Sequence, residues 1–151
     1  MKAIRVSEEW HKALVYHIRY EYILSEVKLD PSRKDFFTPK WEFSSDNIND
    51  RYILVLDDDN NPVSTIRFLI DEYGNGLIER VRTMPGKFKK GYGRLAMEEG
   101  ERWLYDLGVR HVFVEAIERA LDFYKKCGYS FSKKENVLRN HNDLYLMEKS
   151  L

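Results

Sequence analysis

Residues 83–96 read TMPGKFKKGYGRLA, and the chain continues as MEEGERWLYDLG to residue 108. The stretch from about Gly91 to Leu107 has the pattern of an amphipathic helix, with Leu95, Trp103, Leu104 and Leu107 on its apolar side and Gly108 just past its end. Its entrance gathers Lys87, Lys89, Lys90 and Arg94 around Gly91 and Gly93. The first four N–H groups of a helix have no partner within it, and the macrodipole adds about half a positive charge there. Glycines let the backbone approach a ligand closely, because no Cβ intervenes. A phosphate suits such an entrance. The plainer alternative is a solvated basic turn, with glycines for tight bending.

Around this segment the chain reads as alternating strands and helices. Residues 2–6 are a strand, and Ser7 is the expected N-cap of a helix that places Trp10, Leu14, Ile18 and Tyr22 on one face. Residues 27–50, broken by Pro31 and Pro39, read as a broken helix or an ordered loop. RYILVLDD (51–58) and VSTIRFLID (63–71) are strands joined by the turn DDNNP. EYGNG turns into LIERVRT (77–83), whose alternation puts Leu77, Glu79, Val81 and Thr83 on one face and Ile78, Arg80 and Arg82 on the other. Beyond the central helix come a strand at 109–116, a helix at 118–127 stopped by Gly128, and strands at 129–133 and 142–149. The order β-α-(α)-β-β-β-α-β-α-β-β is α+β with a mixed sheet, in a single domain covering residues 1–151.

Three phosphate-binding loops compete for the basic segment. The Walker motif needs GxxxxGK followed by Ser or Thr, which is absent. The dinucleotide fingerprint GxGxxG/A is formally met by Gly91, Gly93 and Ala96, with Glu115 near the expected ribose acid. That fingerprint turns tightly off its strand, whereas residues 84–90 intervene here and three antiparallel-type strands precede it.

The third is carried by two motifs in order. The segment TMPGKFKKGYGRLA resembles the pyrophosphate motif Arg/Gln-x-x-Gly-x-Gly/Ala of the GNAT superfamily of acyl-CoA-dependent N-acyltransferases. About 30 residues on, ALDFYKKCGY (120–129) resembles its second signature, A-x-x-FY-x-x-x-GF. The pair brackets the strand VRHVFVEA, and IRYEYILSE (18–26) resembles a helix of small bacterial members. Two positions depart: Phe88 stands at Arg/Gln, and Ile117 stands where many members have asparagine.

The resemblance implies a mostly antiparallel central sheet of about seven strands, flanked by helices, with a V-shaped split between strands four and five. It implies acetyl-CoA as cosubstrate and direct transfer of the acetyl group to a primary amine. The strand Val81, Arg82 and Thr83 would hold pantetheine through main-chain atoms, and Lys89, Lys90, Gly91, Tyr92, Gly93 and Arg94 the pyrophosphate. Tyr124 matches the tyrosine that many members use as general acid, and it also contributes to cofactor packing; a core aromatic is the alternative. Glu79 is the candidate base, with an ion pair to Arg67 or Arg80 as the plain alternative and Glu115 in reserve. A GNAT-fold module that binds acyl-CoA without catalysis is the second functional reading.

The remaining chemistry-bearing residues have plain roles. His11 and His17 lie on the first helix, His111 begins a strand, and His141 sits in the loop RNHND. Phe36, Phe37, Trp41 and Phe43, with Asp35, Glu42 and Asp46, make either a pocket for a cationic amine or a packed flap. Asp57 to Asp59 form a hairpin tip. Cys127 is the only cysteine, so no internal disulfide forms, and no Cys/His cluster has zinc spacing; no metal is expected.

Twenty-five basic residues balance twenty-five acidic ones, which argues against general nucleic-acid binding. No stretch approaches the roughly 20 apolar residues of a membrane span, and no signal-peptide run opens the chain. A cytoplasmic protein is expected, acting on a small-molecule or peptide amine, without nucleic acid or membrane as partner. A homodimer is among the assemblies allowed.

Overall fold

The computed structural model describes residues 1–35, 37–133 and 144–151. Two positions singled out above, Phe36 and His141, lie outside the described residues, as does the start of the expected strand at 142–149. The chain divides into two compact units, residues 1–67 with 80–100, and residues 68–79 with 101–151.

Seven strands form one mixed sheet in the order β1-β2-β3-β4-β5-β7-β6, flanked by helices. They are β1 (Lys2–Arg5), β2 (Arg51–Leu56), β3 (Pro62–Ile70), β4 (Gly76–Thr83), β5 (His111–Ala116), β6 (Ser130–Phe131) and β7 (Tyr145–Ser150). The helices are α1 (Glu9–Leu29), α2 (Pro39–Phe43), α3 (Tyr92–Asp106) and α4 (Leu121–Lys126). Short 3₁₀ turns, Pro31–Arg33 and Glu118–Ala120, follow α1 and precede α4. The interrupted segment 27–50 is thus a broken helix.

In the first unit, β1 pairs antiparallel with β2, Lys2 opposite Leu56 and Arg5 opposite Ile53. The turn after β2 is closed by Asp57 N–H donating to Asn61 C=O at 3.0 Å, while the Asp57 carboxylate accepts from the N–H groups of Asp59 and Asn61. This is the Asx-turn chemistry expected of DDDNN. Val15 and Ile18 of α1 form a core with Tyr52, Leu54 and Leu56, against which Ile4, Val6, Leu14 and Met84 pack.

Two expectations for α1 fail here. Its N-cap is Glu8, not Ser7, because the Glu8 carbonyl accepts the first helical bond, from Lys12. Trp10 is 60% exposed, since steps of four residues drift off a face that turns every 3.6. The buried positions are instead Val15, Ile18, Arg19, Ile23 and Glu26.

In the second unit, β4 and β5 pair in parallel, Gly76 to Ile78 against Val112 to Val114. A Cβ on Gly76 would lie 2.9 Å from Leu104 Cδ1 on α3, so any side chain there would require Leu104 to shift. β5 pairs antiparallel with β7 from His111–Ser150 to Ala116–Tyr145, and β6 adds to the far side of β7. Glu101 is buried on α3, and its carboxylate accepts from Lys149 Nζ at 2.7 Å and from the Tyr129 hydroxyl at 3.4 Å.

The strict alternation expected along β4 is interrupted. Arg80, two residues past the parallel ladder, has φ +51°. A left-handed residue inside a strand is the signature of a bulge, which shifts the phase of the pleat.

Candidate functional site

The basic segment is built by three left-handed turns in succession. Met84 N–H donates to Val63 C=O at 2.8 Å, so the chain leaves β4 still tied to β3. Gly86 (φ +80°) follows Pro85, and Lys87 N–H closes that turn on Met84 C=O at 3.0 Å. Lys89 (φ +59°) and Gly91 (φ +84°) then bracket Lys90. Such reversals gather successive N–H groups around a concavity suited to an anion. α3 begins at Tyr92, and Leu95 N–H donates to Gly91 C=O at 3.0 Å.

Its first turn contains no acidic residue, so no carboxylate within that turn competes for the dipole. A Cβ on Gly91 would meet no atom within 4 Å, which marks open space at the entrance. Lys89 and Lys90 are exposed. Arg94 is engaged with Glu98 at 3.0 Å, and Lys87 lies 4.0 Å from Asp57. Among the described residues, Lys89 and Lys90 stand exposed at this entrance beside the backbone N–H groups. Phe88 is 54% exposed and contributes no charge.

The second half of β4 lies in the same unit. Val81, Arg82 and Thr83 are half-buried. The Ser64 hydroxyl donates to Arg82 C=O at 3.0 Å and lies 3.0 Å from Thr83 Oγ1. That carbonyl and that hydroxyl are thus held by β3.

The bulged segment is also anchored by its side chains. Arg80 Nε donates to Glu42 C=O at 3.2 Å, and Arg82 donates to both Glu42 carboxylate oxygens, at 3.2 and 3.1 Å. Arg80 stacks on Trp41 and Arg82 on Tyr22, with guanidinium carbons 4.7 and 4.4 Å from the ring centroids. Glu42 is fully buried and also accepts from Arg19 Nε at 3.1 Å. Arg19 in turn donates to both oxygens of Asp46, at 2.6 and 2.8 Å. Asp46 completes its set with Tyr52 Oη at 2.5 Å and a contact from Arg67.

Within segment 35–46, Glu42 and Asp46 both pair with arginines in a packed strut, and Asp46 with Phe43 also lines the groove beside α1. No sequence signal announces the strut: Arg67 reads there only as a partner for Glu79, and Glu42 and Asp46 as part of a pocket or a flap.

Burial pushes the Asp46 carboxyl up, but hydrogen bonds from Arg19 and Tyr52 and the charges of Arg19 and Arg67 outweigh it and hold it at about 2. A depressed pKa stabilises the fold above the ordinary value of 3.8, and that stability is lost as pH falls through the folded value. Acid unfolding between about pH 4 and pH 2 should therefore carry a contribution on the order of 2 kcal/mol from this group. Asp46→Asn should flatten stability over that window in denaturant titrations; an unchanged profile contradicts the assignment.

A groove of about 540 Å³ opens here, lined by Ala13, Tyr16, His17, Tyr20, Phe43 and Asp46.

In the other unit, Tyr124 lies on α4 and is 7% exposed. Its ring makes edge contacts with Phe123 and Tyr129, at 5.1 and 6.0 Å between centroids, and its C=O accepts from Tyr129 N–H at 3.0 Å. Glu79 is half-buried on β4, one residue before the bulge, and Glu115 is exposed on β5. Cys127 is half-buried, with its carbonyl accepting from Lys149 Nζ at 2.8 Å. His111 sits 3.7 Å from Glu148. Among the described residues, no helix is long and apolar enough to cross a membrane. The structure thus brings Val81, Arg82, Thr83 and Lys89 to Arg94 into one unit, and Glu79 and Tyr124 into the other.

Comparison with known proteins adds an independent line. The family model described as acetyltransferase (GNAT) family matches residues 15–129. A search of curated proteins found no match. Among solved structures, a candidate N-acetyltransferase from Lactobacillus plantarum is similar with TM-score 0.78 and 21% identity, over 99% of this chain and 97% of that one. The PaiA N-acetyltransferase from Thermoplasma acidophilum, in complex with coenzyme A, gives TM-score 0.72 and 15% identity, over 99% and 98%. An aminoglycoside 6′-N-acetyltransferase complexed with coenzyme A gives 0.70 and 13%, over 99% and 97%. At these identities the likeness is one of fold.

Proposed function

Because the chain belongs to the GNAT acetyltransferase family, we propose that it transfers an acetyl group from acetyl-CoA to a primary amine. The observation that carries this reading is the entrance to α3. Lys89 and Gly91 are both left-handed, open space lies at Gly91, and no acid occupies the first turn. Those features fit a pyrophosphate, and the CoA complexes of two structural relatives support the same ligand. Lys89, Lys90, Gly91, Tyr92, Gly93 and Arg94 would hold it. Main-chain atoms of Val81, Arg82 and Thr83 would take the pantetheine, where the Arg82 carbonyl already accepts from Ser64 and the Val81 carbonyl from Arg82 Nη1.

Acetyl-CoA supplies a thioester, whose carbonyl carbon forms a bond to the amine nitrogen as its bond to sulfur breaks. Three proton movements remain. An alkyl ammonium, with an ordinary pKa of about 10, must first lose a proton. Glu79 accepts it, directly or through a water. Tyr124 gives its hydroxyl proton to the departing sulfur, and the second proton that the nitrogen sheds on becoming an amide restores the phenol through solvent. These roles rest on the place of Glu79 before the Arg80 bulge and of Tyr124 in the motif ALDFYKKCGY. The cytoplasm is the proposed compartment.

Thermal shift with acetyl-CoA against NAD tests the cofactor. At 100 times its Kd, acetyl-CoA should add about 2.7 kcal/mol of stability, and NAD nothing. Gly93→Glu puts a carboxylate into the first turn of α3, where it opposes phosphate. A folded Gly93→Glu variant that binds acetyl-CoA normally contradicts the site. Thiol release over a panel of polyamines, amino acids, aminoglycosides and peptides tests transfer. Exposed Phe88, in place of the motif's Arg or Gln, favours the second reading, a module that binds acyl-CoA without catalysis. Tight binding with no thiol release on any amine would establish that reading instead.

A further inference from the structure

The outer face of α1 carries a second stripe. Trp10, Ala13, His17, Tyr20, Leu24 and Val27 recur at alternating steps of three and four residues, the spacing of a helix–helix seam. This stripe lies opposite the buried positions Val15, Ile18, Arg19 and Ile23. Trp10, Tyr20 and Leu24 are 60%, 44% and 38% exposed. Ala13 and His17 are exposed too, and Val27 is half-buried. Ala13, His17 and Tyr20 also wall the groove that Tyr16, Phe43 and, at its edge, Asp46 complete. Single exposed apolar residues are ordinary. A continuous stripe along most of a 21-residue helix, beside an apolar groove, marks an interaction surface.

We propose that the occupant is a second copy of this chain, with the two α1 helices packed antiparallel across a two-fold axis. The stripe selects this partner by its own order of sizes. With the axis between Ile18 and Arg19, Trp10 falls opposite the partner's Val27. Ala13 falls opposite the partner's Leu24, and His17 opposite the partner's Tyr20. Each layer sets a larger side chain against a smaller one, as close packing requires. A parallel pair would set Trp10 against itself and Ala13 against itself, a clash in one layer and a void in another. None of the six positions is Lys, Arg, Asp or Glu, so no formal charge is buried in the seam. Lys28, in the last turn of α1, comes level with the partner's Glu9 in the first turn, so the two ends of the seam carry opposite charges.

The seam from Trp10 to Val27 is about 26 Å long at 1.5 Å per residue. With the groove it covers on the order of 1,000 Å², the lower edge of specific interfaces. A dimer of about micromolar Kd is therefore expected, in exchange with monomer.

Sedimentation velocity on the full chain across a concentration series tests the proposal. The expected result is a shift from one to two chain masses as concentration rises. Tyr20→Glu should weaken association by about 100-fold or more, with the circular dichroism spectrum of the unaltered protein retained. The register is read by cysteine pairs in a Cys127→Ser background. Ala13→Cys mixed with Leu24→Cys should give disulfide-linked dimers under oxidation, and Ala13→Cys alone should not. Three results overturn the proposal: a monomer at the highest soluble concentration, a dimer indifferent to Tyr20→Glu, or ready crosslinking of Ala13→Cys with itself.

Discussion

Tyr124→Phe should lower kcat by about 10²–10⁴-fold, the usual loss when a positioned acid is removed. The substitution keeps the ring, and with it the edge contacts to Phe123 and Tyr129. Folding should therefore survive, and KM for acetyl-CoA should change little. That pattern separates a residue acting in the transition state from one acting in binding. Steady-state kinetics on both proteins, with an acceptor found by the thiol-release panel, decides the matter. A Phe variant with unchanged kcat, where chemistry limits turnover, reduces Tyr124 to a packing residue. The departing sulfur would then take its proton from solvent.

Glu42→Ala should be the most destabilising single change in the first unit. It removes the carboxylate that faces Arg19, Arg80 and Arg82, and Glu42 and Arg19 are both fully buried. Removing one partner of a buried ion pair costs about 3–5 kcal/mol, mostly because the remaining charge is left uncompensated. For a chain of this size that lowers Tm by roughly 10 °C or more. Glu42→Gln keeps the shape and an oxygen acceptor, so it should lose less than Glu42→Ala. The double change Glu42→Ala with Arg82→Ala should cost clearly less than the sum of the two. The same variants should raise KM for acetyl-CoA, because Glu42 holds both arginines of the bulged part of β4. A Glu42→Ala protein that melts within a degree or so of the unaltered one would falsify the role given to this cluster.

The sequence made some features plain because their causes are local. Asp57, Asn60 and Asn61 announce a turn by chemistry confined to a few residues, and Gly108 (φ +93°) ends α3 where a left-handed residue is needed. The apolar strand at 109–116 and the helix after the basic loop followed from periodicity. The mixed sheet followed from element order together with the two motifs.

What stayed hidden depends on partners far along the chain. Arg19 lies on the buried face of α1, and nothing near it in sequence announces Glu42 or Asp46 as its neutralising groups. An isolated charge reads as solvated; only the assembled cluster makes its burial affordable. The bulge was hidden for a related reason. Arginine has no intrinsic preference for φ +51°, so tertiary contacts must impose it at Arg80. The groove beside α1 was missed because Trp10 and Tyr22 were assigned to one face, which concealed the outward stripe.

The position of β7 has a consequence for how the second unit comes together. β6 precedes β7 in sequence, yet β7 lies between β5 and β6, and β6 joins the sheet through it. The two-residue β6 pairs with no strand but β7 among the described residues, so it reaches the sheet only when β7 docks on β5. That docking joins His111 to Ser150 and Ala116 to Tyr145, contacts of high sequence separation that close slowly. By contrast, the hairpins β2–β3 and β3–β4 span tight turns and need no such search. The place of β6 in the sheet is thus set by a strand that comes later in sequence.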